Sequence, residues 1–248
     1  MRLLIIFFPF LFLSLGMTLP SFREEQMKFT RVREAYTDKE KTVIKTLAEH
    51  SISRDSLRVY LRAFKTEKKI ELWAKNTSDS VFEFIREFQI CDISGTVGPK
   101  RRYRDLQVPE GFYHISDLNP FSKYYLSMQI NYPNASESIR GVHGHLGNFI
   151  FIHGECISSG CIAITNERIK ELFVWCIEAY NSGQEEIGLT IFPAHLTDSI
   201  YTGLTTRYSK YKDDISLWAD LKKSYDLFEK NRVPPTVKIL PDGTHEVN

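Results

Sequence analysis

His153 and Cys161 stand eight positions apart in the stretch FIFIHGECISSGC (149–161), the histidine closing an apolar run and the cysteine directly following a glycine. A cysteine attacks a carbonyl carbon only as its thiolate. Its free pKa of about 8.5 falls beside an imidazolium, which can then return a proton to a leaving amine. If 149–153 is a strand and a short turn leads back to Cys161, the seven intervening residues suffice to bring the two side chains together. Gly160 lets backbone approach a substrate closely, and the N–H groups of the Ser159-Gly160-Cys161 turn are candidate donors to a tetrahedral oxyanion. The chemistry this pattern points to is acyl transfer, with Cys161 as nucleophile and His153 as its base, and it calls for no cofactor.

Two other readings compete on residue type: a metal site, and a disulfide cysteine beside a structural histidine. His143, His145, His153, Cys156 and Cys161 are suitable ligands for a mixed nitrogen and sulfur site. Their spacing opposes it, because the chain holds no C-x-x-C and no H-x-x-x-H pair, so no metal is predicted. His143 and His145 alternate in GVHGHLG and share one face of an extended segment, which suits an accessory role. His195, in FPAHLTD, can approach the site from the strand before it. The loop SGTVGPKRRYRDLQVPEG (94–111) carries Lys100, Arg101, Arg102 and Arg104, a set able to bind a carboxylate or simply to keep a sheet edge soluble.

The elements that position these residues are read from periodicity. SLRVYLRAF, IELWAK and VFEFIREFQI alternate with period two, are rich in β-branched and aromatic residues, and are separated by short polar stretches. They predict sequential strands and a mainly antiparallel sheet or barrel. IGLTIFP reads as a further strand, and NERIKELFVWCIEAYN as a helix over 167–181 with Ile169, Leu172, Phe173, Cys176 and Tyr180 on its apolar face. Before the sheet, Thr37 and Glu40 form a capping-box pattern ahead of Val43, Ile44, Leu47 and Ala48, which predicts an added helix. After Asp198, Ile215, Trp218, Leu221, Tyr225 and Phe228 share one helical face, followed by a VPP breaker and a short tail.

Thirty-two Lys and Arg balance thirty-one Asp and Glu in 248 residues, so no global field recommends nucleic acid as a partner. Met1-Arg2 precedes the apolar run LLIIFFPFLFL and then SLG. That pattern is a secretory signal with cleavage expected near Gly16, and the run is too short for a spanning helix. Export into an oxidising compartment changes the reading of Cys91, Cys156, Cys161 and Cys176. Cys176 belongs to an apolar helix face. If Cys161 stays a thiol, Cys91 and Cys156 are the remaining candidate pair.

IHGECISSGCIAIT (152–165) resembles the signature of the YkuD-like L,D-transpeptidase catalytic domain: histidine-glycine, a variable loop, then serine, one residue, glycine and cysteine. GPKRRYRDLQVPEGFYHI is similar to the family segment in which proline-x-glycine precedes an aromatic strand, and NPFSKYYLSMQINYPNASE resembles the exported YafK-like branch. The resemblance implies an α+β fold with a mostly antiparallel, barrel-like sheet over 56–198. A signal peptide at 1–16, a helical segment at 17–55 and a C-terminal helical extension at 199–248 flank it. It further implies a thioester on Cys161 formed with peptidoglycan stem peptides, His153 as activator and Gly160 beside the oxyanion. Ser158 matches the family serine. Arg101, Arg102 and Lys123 are candidates for stem-peptide carboxylates, and Tyr132 for the cleft wall. Ser159 stands where many members have a second histidine, Ala163 where many have arginine or asparagine, and the loop between His153 and Cys161 is short. The acceptor stays open: an amine gives cross-linking, while water gives hydrolysis of stem peptides or release of wall-attached protein. A non-catalytic metal- or wall-binding module is the alternative of another class.

Overall fold

The computed structural model describes residues 20–142 and 144–248; the expected signal at 1–16 and His143 lie outside them. In chain order its elements are α1 (Phe22–Gln26), α2 (Thr30–Glu49), β1 (Leu57–Phe64), β2 (Lys69–Asn76), β3 (Glu83–Gln89), β4 (Asp92–Ile93), β5 (Gly111–Asn119), β6 (Ser127–Ile130), α3 (Ala135–Arg140), β7 (Phe151–His153), β8 (Ile162–Ala163), α4 (Asn166–Asn181), β9 (Ile187–Phe192), α5 (Asp198–Arg207), α6 (Lys212–Asn231), β10 (Val237–Ile239) and β11 (His245–Val247).

Nine strands form one sheet in the order β3-β2-β1-β9-β5-β6-β7-β8-β4. Only β1 with β9 and β7 with β8 run parallel; the other neighbours are antiparallel. β3 and β4 lie at opposite ends of that order, yet only Ile90 and Cys91 separate them. Ile90 N–H donates to Lys68 O at 2.7 Å, on the β1–β2 turn, and Cys91 N–H donates to Ala163 O at 2.9 Å, on β8. The sheet therefore curls until its two edges meet, which makes the fold mixed α+β with a barrel-like, mostly antiparallel sheet.

β1 is buried on both faces. Val59, Leu61 and Ala63 join the large core cluster with α2 and α4, while Phe64 joins Phe192, Leu196, Leu217, Trp218 and Leu221 under α6. Alternation of apolar side chains sets the first face. On the second, Arg62 is 1% exposed and its guanidinium lies 4.7–5.8 Å from the ring centroids of Phe64, Trp73, Phe192, Tyr225 and Phe228. It also pairs with Glu229 at 2.8 Å. Aromatic faces attract a cation, and the carboxylate offsets its lost hydration, so this arginine anchors α6 from inside.

Further buried charges fasten the flanking helices. Glu178 of α4 accepts from Arg23, Arg54 and Tyr36, which ties α1 and α2 to the central helix. Glu110 accepts from Lys65 at 2.9 Å, Gly98 N–H at 2.8 Å and Trp218 Nε1 at 2.7 Å, which ties α6 to the basic loop.

Two sequence expectations change here. Thr37 lies inside α2 rather than at its start, and its hydroxyl donates back to Arg33 O at 2.9 Å. Val32, Ala35 and Tyr36 pack in the core and so extend the helix N-terminally to Thr30. The short C-terminal tail is a hairpin of β10 and β11, with Val247 buried.

Candidate active site

β7 and β8 place the two candidate residues, His153 and Cys161. Ile152 pairs with Ile162 and His153 with Ala163 in parallel register. Both isoleucines are in the core, so His153 and Cys161, which alternate with them, share the opposite face. His153 is 1% exposed, whereas Cys161 is a half-buried free thiol. The histidine Nδ1–H donates to Gly154 O at 2.5 Å; a carbonyl only accepts, which fixes the tautomer and leaves Nε2 as the basic nitrogen. The Tyr124 ring stacks on the imidazole, with centroids 4.5 Å apart. Gly154 has no room for a side chain, because a Cβ there would stand 2.8 Å from Tyr124 O and 2.5 Å from Asn166 Oδ1.

The electrostatics differ from the expected imidazolium and thiolate. Burial pushes the Cys161 thiol above its ordinary value, against the Phe151 N–H and the Lys100 charge. Burial also lowers His153, against its bond to Gly154 and the charges of Glu155 and Asp92. Both effects favour a neutral pair in the free protein. Cys161 Sγ makes a long contact of 3.9 Å to Phe149 O and no hydrogen bond to His153 among the described residues.

The turn bearing Cys161 hangs from the stretch Cys91 to Ser94, at and beside β4. A disulfide joins Cys91 to Cys156 across 65 positions. Asp92 Oδ2 accepts Ser158 N–H at 2.7 Å, and Ser94 Oγ accepts Gly160 N–H at 2.6 Å. Ser158 Oγ donates to Cys161 O at 2.7 Å.

These bonds revise several candidates. Gly160 N–H is already bonded, so it is not a free oxyanion donor; the N–H groups of Ser159 and Cys161 find no acceptor among the described residues. Ser158 holds the turn together rather than facing a substrate. Arg101 pairs with Asp213 of α6 at 2.9 Å, because α6 covers the loop. Tyr132 is 3% exposed and sits in the core, since its ring fills space under the loop. His195 stacks on Phe64 at 3.9 Å, in the cluster under α6 and away from Cys161. Arg102 and Lys123 are exposed, as is His145; Lys123 Nζ lies 5.2 Å from the Tyr124 ring centroid. With Cys156 in a disulfide, the mixed metal set loses a thiolate, and no three His, Cys, Asp or Glu side chains cluster for a metal among the described residues.

His153 ends one strand and Cys161 directly precedes its parallel neighbour, so a buried imidazole and a half-buried thiol meet on one face of a curled sheet. The family model for the YkuD L,D-transpeptidase catalytic domain matches residues 59–184, and the chain belongs to that family. It is 38% identical over 184 residues to YafK of Escherichia coli strain K12, which covers 73% of this chain and 71% of that protein. Among solved structures it is similar to the helical cell shape determining protein Pgp2 from Campylobacter jejuni, at 19% identity and TM-score 0.45, over 74% of this chain and 73% of that one. Mycobacterium tuberculosis L,D-transpeptidase 1 aligns at 12% identity and TM-score 0.29, over 54% and 62%.

Proposed function

We propose that the protein is a cysteine-dependent L,D-transpeptidase acting on peptidoglycan stem peptides. The observation that carries this reading is the half-buried thiol of Cys161 beside a buried histidine with Nε2 unprotonated, in a chain of the L,D-transpeptidase family. Cys161 Sγ attacks a stem-peptide carbonyl carbon as His153 Nε2 takes the thiol proton. The unengaged N–H groups of Ser159 and Cys161 stabilise the oxyanion. The imidazolium then protonates the leaving amine, the C–N bond breaks, and a thioester remains for an amine to attack. Partial exposure of the sulfur supports a second reading in which water is the acceptor, since hydrolysis needs no second bound peptide. Arg102, exposed and without a carboxylate partner among the described residues, is the cation available for a stem-peptide carboxylate. The Cys91–Cys156 bridge supports export to the periplasm or cell envelope, where disulfides persist.

The test incubates the wild type and Cys161→Ala with peptidoglycan fragments carrying tetrapeptide or protein-linked stems, with products identified by mass spectrometry. Cross-links or exchanged terminal residues that depend on Cys161 are expected. Shortened stems or released protein would identify the hydrolase, and no Cys161-dependent product would overturn both readings.

A further inference from the structure

We propose that Ser94 is a positioning residue for acyl transfer: its hydroxyl removes the Gly160 amide from the site and sets the turn so that the neighbouring Ser159 and Cys161 amides serve the oxyanion. The inference rests on the reading of Cys161 as an acyl-accepting nucleophile.

The geometry is specific. Ser94 Oγ accepts Gly160 N–H at 2.6 Å and donates its own proton to Leu106 O at 2.9 Å. One hydroxyl therefore joins the turn of the nucleophile to the loop that carries Lys100 to Arg104. Ser94 N–H also donates to Ser158 Oγ at 3.2 Å, and Ser158 Oγ in turn donates to Cys161 O at 2.7 Å. Ser94 thus holds the Gly160 amide directly and the Cys161 carbonyl through Ser158, from 67 positions upstream of the nucleophile by number (161 − 94). Gly160 adopts φ +102, a conformation side chains rarely take, and a Cβ there would also stand 3.3 Å from Gln107 O. Such a turn has alternatives close in energy once its amide loses an acceptor. Rate in acyl transfer depends on donors fixed to within about half an ångström of where the oxyanion forms. The Ser94 bond spends one amide to fix two others.

Two reactions of the same sulfur separate this role from general support of the fold. Acylation by p-nitrophenyl acetate forms the S–C bond, expels p-nitrophenolate and passes the thiol proton to His153, and it develops an oxyanion. Alkylation by iodoacetamide displaces iodide at a saturated carbon and develops none. In Ser94→Ala the acylation burst should slow by roughly 10- to 100-fold, with the alkylation rate and its pH profile unchanged, and Ser94→Thr should recover most of the acylation rate. An equal fall in both reactions would mean that Ser94 only supports the fold or the thiol, and would overturn the proposal. Unchanged acylation would overturn it too. Faster acylation would show Gly160 N–H to be the true donor, held back by Ser94. A wild type that is alkylated at Cys161 but never acylated would instead refute the reading on which the proposal rests.

Discussion

Removing the Cys91–Cys156 bridge should cost the protein about 4 kcal/mol. The bridge closes a loop of 65 positions, and the loop-entropy relation gives roughly 14 cal/mol/K for that length, or about 4 kcal/mol at room temperature. The strands it encloses, β4 through β7, lie within one curled sheet, so the loss falls on global unfolding rather than on a fraying segment. The perturbation is the double variant Cys91→Ser/Cys156→Ser, which avoids reducing agents that would also strip a thioester. Urea denaturation followed by fluorescence gives the free energy, and a thermal melt should fall by roughly 8–16 °C for a chain of this size. The turn of Cys161 keeps its bonds to Asp92 and Ser94, so acylation of Cys161 by p-nitrophenyl acetate well below the melting temperature should stay near the wild-type rate. A stability loss under about 1 kcal/mol would refute the loop-entropy reasoning. Abolished acylation in a folded variant that is still alkylated would refute the claim that β4 holds the turn without the bridge.

The alkylation rate of Cys161 should keep climbing with pH beyond the ordinary thiol range, because burial raises its pKa; a plateau between pH 5 and 8 would mean a preformed thiolate and imidazolium. Gly154→Ala should cost about 1–3 kcal/mol by overpacking against Tyr124 O and Asn166, and an unchanged melt would show that β7 can move there freely. Asp214 sits in α6 with its pKa raised from 3.8 to about 6 by burial, then by repulsion from Glu110 and Asp213. Its neutral form is favoured by folding, so the stability present below pH 4 is lost as pH rises through 6. Asp214→Asn should therefore stabilise at pH 7 and not at pH 4. The displaced pKa caps the gain near ~3 kcal/mol, and solvent screening of a half-buried carboxyl brings it to roughly 1 kcal/mol; equal urea midpoints for variant and wild type at pH 7 would contradict this.

Periodicity reveals β1, β2 and β3, because each carries enough alternating residues to show its period; IGLTIFP reads as β9, and the α4 and α6 stripes are equally plain. β4 and β8 have two residues each, too few to carry any period, though they bear the site. The spacing and types of His153 and Cys161 make the pair legible. The supports escape notice because Asp92, Ser94 and Tyr124 belong to no motif and become neighbours only when the sheet curls. In the sequence Arg101 is a candidate for a stem-peptide carboxylate and Tyr132 for a cleft wall, and neither faces one. α6 covers the first, and the basic loop covers the second. No local pattern announces that an extension will return over a loop some 110 positions earlier, as Asp213 does to Arg101 (213 − 101 = 112).

The meeting of β3 and β4 sets the order in which this protein can be oxidised safely. In an unfolded chain Cys156 lies 5 positions from Cys161 and 65 from Cys91 (161 − 156 and 156 − 91). Chain entropy alone favours the shorter bridge by about 2 kcal/mol, roughly 50-fold. Such a bridge would consume the Cys161 thiol. Proximity in sequence thus pulls toward an inert product, and only β4 laid against β8 reverses the preference, because Cys91 is then delivered to Cys156 while Cys161 is turned to the other side of the strand pair. Under oxidising conditions the curl of the sheet acts as a protecting group for the thiol, and oxidation that outruns folding is the way Cys161 would lose its reactivity.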